Sequence, residues 1–151
     1  MHSVAQAVAV AFPAHVEEVL LPGSVSRGVA DELSDVELLV VTAEELDLGT
    51  CFALAAASGL EDVATWGRED AATRRVPGRR EGVPVELIWW ARAAAESAVD
   101  AVFDGGVSAT AEANANGAAL RTAGSIARWQ ERLRHHPGEL ATAQIEQAAL
   151  K

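Results

Sequence analysis

Residues 21–42 read LPGSVSRGVADELSDVELLVVT. The stretch leaves one strand, passes a Gly-Ser turn and a short helical loop, and enters a second strand with two carboxylates at its start. From Asp35 the letters run Asp35-Val36-Glu37-Leu38-Leu39-Val40-Val41. Side chains alternate across a strand, so Asp35 and Glu37 share one face while Val36, Leu38 and Val40 take the other. Two neighbouring carboxylates repel each other, and the arrangement calls for a cation between them. Just upstream, Gly23 has no side chain in the way and Ser24 supplies a hydroxyl. Backbone N–H groups at the start of a helical turn can meet an anion there. A phosphate cradle beside a divalent-metal site is what phosphoryl or nucleotidyl transfer requires.

Gly23-Ser24, Arg27-Gly28 and Ser34-Asp35-Val36-Glu37 together resemble the signature of the DNA polymerase β-like nucleotidyltransferase superfamily. The order Asp then Glu, with an Arg shortly after Gly-Ser, is most similar to kanamycin nucleotidyltransferase-like, antibiotic-modifying enzymes. The family's third carboxylate lies between hydrophobic residues on a later strand, and Val85-Glu86-Leu87 in GVPVELIWW fits that setting. The resemblance implies that Asp35, Glu37 and Glu86 are catalytic metal ligands. It implies two Mg2+ ions, with an NTP (ATP favoured) as co-substrate. One ion would grip the triphosphate, and the second would lie between Asp35 and the attacking hydroxyl. Gly23, Ser24 and Arg27 would contact the phosphates, whereas Gly28 and Asp31 read as structural, Gly28 for close chain approach. In such enzymes a Glu from the helical region helps deprotonate the acceptor, and no local motif here chooses among Glu96, Glu112 and Glu131.

With 151 residues, half of them hydrophobic, the chain has material for one domain with a substantial core. A net charge of −10 and a pI near 4.8 argue against a general nucleic-acid binder and suit a cationic small molecule better. The single Cys51 excludes an internal disulfide and agrees with a reducing cytoplasm. The N-terminus MHSVAQAVAV lacks the basic start of a signal peptide. No apolar run approaches the roughly 20 residues that cross a bilayer, so a cytoplasmic protein is expected.

Along the chain, helix is expected over 3–11, ending near Pro13, and a strand over 16–21. After the 35–42 strand come a helix over 43–58 stopped by Gly59, a strand over 60–66, and a hairpin. The hairpin is formed by 74–76 and 83–90 around the turn-rich PGRREG, read as a longer loop. Helices are then expected over 91–103, 110–119 (interrupted near Gly117), 120–135 and 139–151, with breaks at Asp104-Gly105-Gly106 and Pro137-Gly138. The fold class is thus α+β (α/β): a small mixed sheet with packed helices over 1–103, then a helical C-terminal region over 104–151. Related enzymes carry a longer helical region, so this one reads as minimal or truncated and as packing on a partner or on further sequence.

Other residues carry plainer readings. Arg68, Arg74, Arg75, Arg79 and Arg80 could meet a triphosphate, but a solvated hairpin offsetting acidic neighbours is the better reading. Trp89 and Trp90 fall on opposite faces; one could stack on a base, with core packing as the default. His135-His136 suit helix capping, and Trp129 suits the core.

Two functions compete. The first is a Mg-dependent nucleotidyltransferase moving a nucleoside monophosphate from an NTP to a hydroxyl of a small molecule, with an aminoglycoside-like antibiotic favoured. The second is a nucleotidyltransferase-like toxin–antitoxin component, or a catalytically silent domain, that modifies or binds a protein. A homodimer or a helical protein partner stays open under both. Nucleic-acid polymerisation is a distant third, and no membrane partner is expected.

Overall fold

Two largely apolar runs, VEEVLL and VELLVVT, form adjacent inner strands of the sheet, and nearly every residue in them is buried. The computed structural model describes residues 1–22, 28, 34–64, 68–69, 73–104 and 116–135. In chain order the elements are α1 (His2–Ala11), β1 (Val16–Leu21), β2 (Val36–Thr42), α2 (Leu48–Ala57) and β3 (Arg68–Glu69). There follow β4 (Thr73–Arg80), β5 (Val83–Ala91), α3 (Arg92–Phe103), β6 (Ala118–Arg121) and α4 (Ser125–Arg134). The strands make one six-stranded mixed sheet in the order β3-β4-β5-β2-β1-β6. Among the described strands only β2 and β5 pair in parallel; the other neighbours are antiparallel. The fold is α+β.

Alternation sorts the strand residues onto two faces. Val36, Leu38, Val40, Val85, Leu87 and Trp89 pack with α1 and α2 through Val4, Val8, Phe12, Cys51 and Ala55. Leu20, Leu39, Val41, Ile88 and Trp90 pack with α3 and α4 through Ala95, Val99, Ile126 and Trp129. Both tryptophans are therefore core residues, one on each face, and Phe12 meets Trp89 edge-on at a 5.4 Å centroid separation. A sheet covered on both sides explains why the central strands read as continuous apolar runs.

Several boundaries differ from the sequence reading. α2 begins at Leu48, not at 43, because the Asp47 side chain accepts from the Thr50 backbone N–H at 2.9 Å and from its hydroxyl at 2.6 Å. That cap fixes the first turn. The strand expected over 60–66 is a single bridge, Glu61 to Arg79, after which Asp62 takes φ 49° and turns the chain; residues 65 and 66 lie outside the described ones. PGRREG is not a longer loop: β4 runs through Pro77 and Gly78, and the turn is only Glu81-Gly82, at φ 52° and 76°. Pro77 is tolerated because Arg79, two residues on, directs its N–H and carbonyl at Glu61, so the Pro77 nitrogen also faces away from β5.

The region beyond Phe103 departs most. Ala118–Arg121, expected to be helical, is an edge strand antiparallel to β1. The last described helix starts at Ser125 instead of 120, after Gly124 at φ 104°. Residues 105–115 and 139–151, also read in part as helix, lie outside the described residues.

A bulge in β1 ties this region to the sheet. Val16 pairs with Thr42 and Glu18 with Val41, so Glu17 is an extra residue. The insertion reverses the alternation and turns Glu18 onto the α3–α4 face. There Glu18 is fully buried. Its carboxylate accepts from the backbone N–H groups of Ser125 at 2.7 Å and Ile126 at 2.8 Å, and from the Thr122 hydroxyl at 3.3 Å. Gly124 has no side chain to cap α4, and Glu18 supplies the cap from another strand. Glu17, the bulged residue, pairs with Arg92 at the start of α3.

Glu18→Ala would leave two N–H groups buried and unanswered, so it should cost about 3 kcal/mol in urea unfolding, with Glu18→Gln costing less. A loss below about 0.5 kcal/mol for Glu18→Ala, the size expected of a surface change, would contradict this role.

Candidate functional site

The parallel register of β2 and β5 sets Glu37 directly beside Glu86, Leu39 beside Ile88 and Val41 beside Trp90. All six lie on the face that α3 and α4 cover further along. Glu37 and Glu86 are half-buried, and Asp35, one residue ahead of β2, is exposed. Burial raises the Glu37 carboxyl above its ordinary pKa, and the charges of Asp35 and then Glu86 raise it further. The Arg75 guanidinium opposes them. Three carboxylates predicted from sequence thus act on one another in the structure.

Arg75 is the residue whose place the sequence reading did not fix. The two-residue turn pairs Arg75 with Ile88 and Pro77 with Glu86, which puts Arg75 on the carboxylate face, diagonal to Glu86. Its Nη1 donates to Glu86 Oε2 at 2.7 Å. The signal lay in the hairpin: once Glu81-Gly82 is taken as the turn, the register follows.

The other arginines of β4 have partners within the protein, and the Arg68 side chain lies outside the described ones. Arg74 pairs with Glu45, Arg79 donates to the Gly82 carbonyl at 2.7 Å, and Arg80 donates to the Ser58 carbonyl. Of the helical glutamates, Glu96 lies 3.5 Å from Arg128, and Glu131 contacts Arg134 and His135, also at 3.5 Å. His135 sits at the end of α4 with Nδ1 2.8 Å from the Glu131 carbonyl, a capping position. Gly23, Ser24, Arg27, Asp31, Glu112 and His136 lie outside the described residues. Gly28 has φ 70°, a conformation that calls for glycine, and a Cβ there would meet nothing within 4 Å among the described residues.

Among the described residues, no three Asp, Glu, His or Cys side chains converge as a metal-binding group. Glu86 is turned to Arg75 instead. The donor chemistry nevertheless suits magnesium: all-oxygen ligands, two of them from paired strand positions, with an ionised form that neighbouring charges disfavour and a cation would favour. A groove of about 230 Å³ lined by Ala9, Val10, Leu120 and Arg121 lies at the β6 edge on the α1 side, away from the carboxylates. No helix among the described residues is long and apolar enough to cross a membrane.

No family model matches the chain, and no curated protein does.

A carboxyl with a raised pKa holds its proton more tightly in the folded state, and the associated stability is lost as pH rises through that pKa. Glu37→Gln should therefore be more stable than the wild type at pH 7, by less than about 1 kcal/mol because solvent still screens this half-buried charge. The difference should vanish below the ordinary glutamate range. Thermal unfolding at both pH values checks this; a destabilised Glu37→Gln at pH 7 would contradict it.

Proposed function

We propose that the protein is a magnesium-dependent nucleotidyltransferase that moves a nucleoside monophosphate from an NTP, with ATP favoured, to a hydroxyl of a small molecule. The observation that carries this reading is the pairing of Glu37 with Glu86 across β2 and β5, with Asp35 beside them, all on one sheet face. Like charges directly opposite each other on paired strands destabilise a sheet, and a bound cation removes that cost. The sequence leading into β2 carries Gly23, Ser24 and Arg27 in the order the resemblance implies for phosphate contact.

In this reading Asp35, Glu37 and Glu86 would hold the metal, which when bound would neutralise triphosphate charge and favour displacement at the α-phosphate. The strands fix the two glutamates through backbone pairing, so their spacing does not depend on a mobile loop. Asp35, exposed at the strand start, would be accessible to an incoming acceptor. The chain's net charge of −10 favours a polycationic acceptor such as an aminoglycoside-like compound.

The test is thermal unfolding with each NTP, with and without magnesium. A ligand at about 100 times its Kd stabilises the folded state by about 2.7 kcal/mol. The expected result is a magnesium-dependent shift that Asp35→Ala abolishes while its unliganded melting stays cooperative. A shift of equal size in Asp35→Ala would refute the site. No shift with any NTP would refute the nucleotide reading and leave a domain that acts by binding a protein partner.

A further inference from the structure

The ion pair of Arg75 with Glu86 stands inside the carboxylate group. The two side chains are 26% and 27% exposed, so the pair is neither sealed in the core nor loose on the surface. Glu86, on β5, is directly opposite Glu37 on β2 and directly opposite Pro77 on β4. Pro77 offers no charge and no donor, so the cation for Glu86 comes from Arg75, two pairs further along on the same face. The remaining described arginines of β4 are engaged elsewhere, and Arg74 and Arg80 alternate onto the α2 face.

We infer that Arg75 is the resident counter-ion of this site, holding Glu86 in the metal-free protein. On binding of a metal ion with a triphosphate, it releases the carboxylate and turns to the phosphate. The inference rests on reading Asp35, Glu37 and Glu86 as a metal–nucleotide site. A guanidinium fork fits a carboxylate and a phosphate with the same geometry, so Arg75 can exchange one for the other without leaving its charge unpaired. A metal offered alone has to compete with Arg75 for Glu86, whereas a metal arriving with phosphate does not. Metal and nucleotide are then coupled through one positioning residue, and such couplings typically reach about 5- to 150-fold.

The experiment measures two affinities in the full chain. Mn2+ alone is titrated and followed by its electron paramagnetic resonance; the magnesium complex of a non-hydrolysable ATP analogue is titrated by calorimetry. Arg75→Gln should bind Mn2+ about three- to fivefold more tightly, the scale of a partly exposed ion pair. It should bind the nucleotide complex about tenfold more weakly, the scale of a lost charge-assisted hydrogen bond. Arg75→Lys, which keeps the charge, should stay within about twofold of the wild type for Mn2+. It serves as the second variant if Arg75→Gln does not fold. Opposite shifts in the two affinities are not what a merely structural arginine would give. If the wild type binds Mn2+ and Arg75→Gln binds it no better, the role of Arg75 is overturned while the carboxylate site stands. Tighter nucleotide binding by Arg75→Gln would equally overturn it. If neither the wild type nor either variant binds Mn2+, the inference and the metal site fall together.

Discussion

The parallel pairing of β2 with β5 is the constraint on which the rest depends. It joins β1 and β6 on one side to β4 and β3 on the other, and it is the only parallel pair among the described strands. Its register is held from both faces, by Leu38 beside Leu87 and Val40 beside Trp89 on one and by Leu39 beside Ile88 on the other. A slip by one residue would move each of these side chains into the opposite layer. The same register leaves Glu37 no neighbour but Glu86 across the pair. Apolar packing therefore imposes an electrostatic cost at the start of the strands, which Arg75 offsets in part.

A second charge arrangement connects the C-terminal elements to that frame. Without the bulge at Glu17, Glu18 would share a face with Val16 and point toward α1. With it, the carboxylate reaches the first turn of α4, while Gln130 on the same helix donates to the Gly117 carbonyl at 2.7 Å. β6 and α4 thus belong to the same sheet assembly as the carboxylates, and α4 helps cover the face on which they lie.

Much of this was legible in the residues, for reasons that differ by element. β1 and β2 are apolar enough that strand is the only economical reading, and α1 ends at the expected place before Pro13. The hairpin was misread because Pro77 and Gly78 are turn signals locally, and Pro77 is tolerable within the strand only because its nitrogen faces away from β5. Ala118–Arg121 has no β-branched or aromatic residue, so nothing local distinguishes it from helix; its pairing with β1 is a tertiary choice. At the site, Asp35, Glu37 and Glu86 could be picked out because acidic residues interrupt apolar strands. The place of Arg75 could not, since it depends on the Glu81-Gly82 turn at the far end of its own strand, which was misread. Glu18 could not either, because a bulge is invisible in an alternating pattern.

The central claim is that Asp35, Glu37 and Glu86 form one cation site. Carbon-13 spectra of the side-chain carboxyls during addition of substoichiometric Mn2+ address it directly, because paramagnetic broadening falls steeply with distance. A shared site requires that the signals of these three residues broaden first, ahead of the rest of the 22 acidic side chains. Uniform broadening across the acidic residues, or broadening that starts elsewhere and spares Glu37 and Glu86, would contradict it.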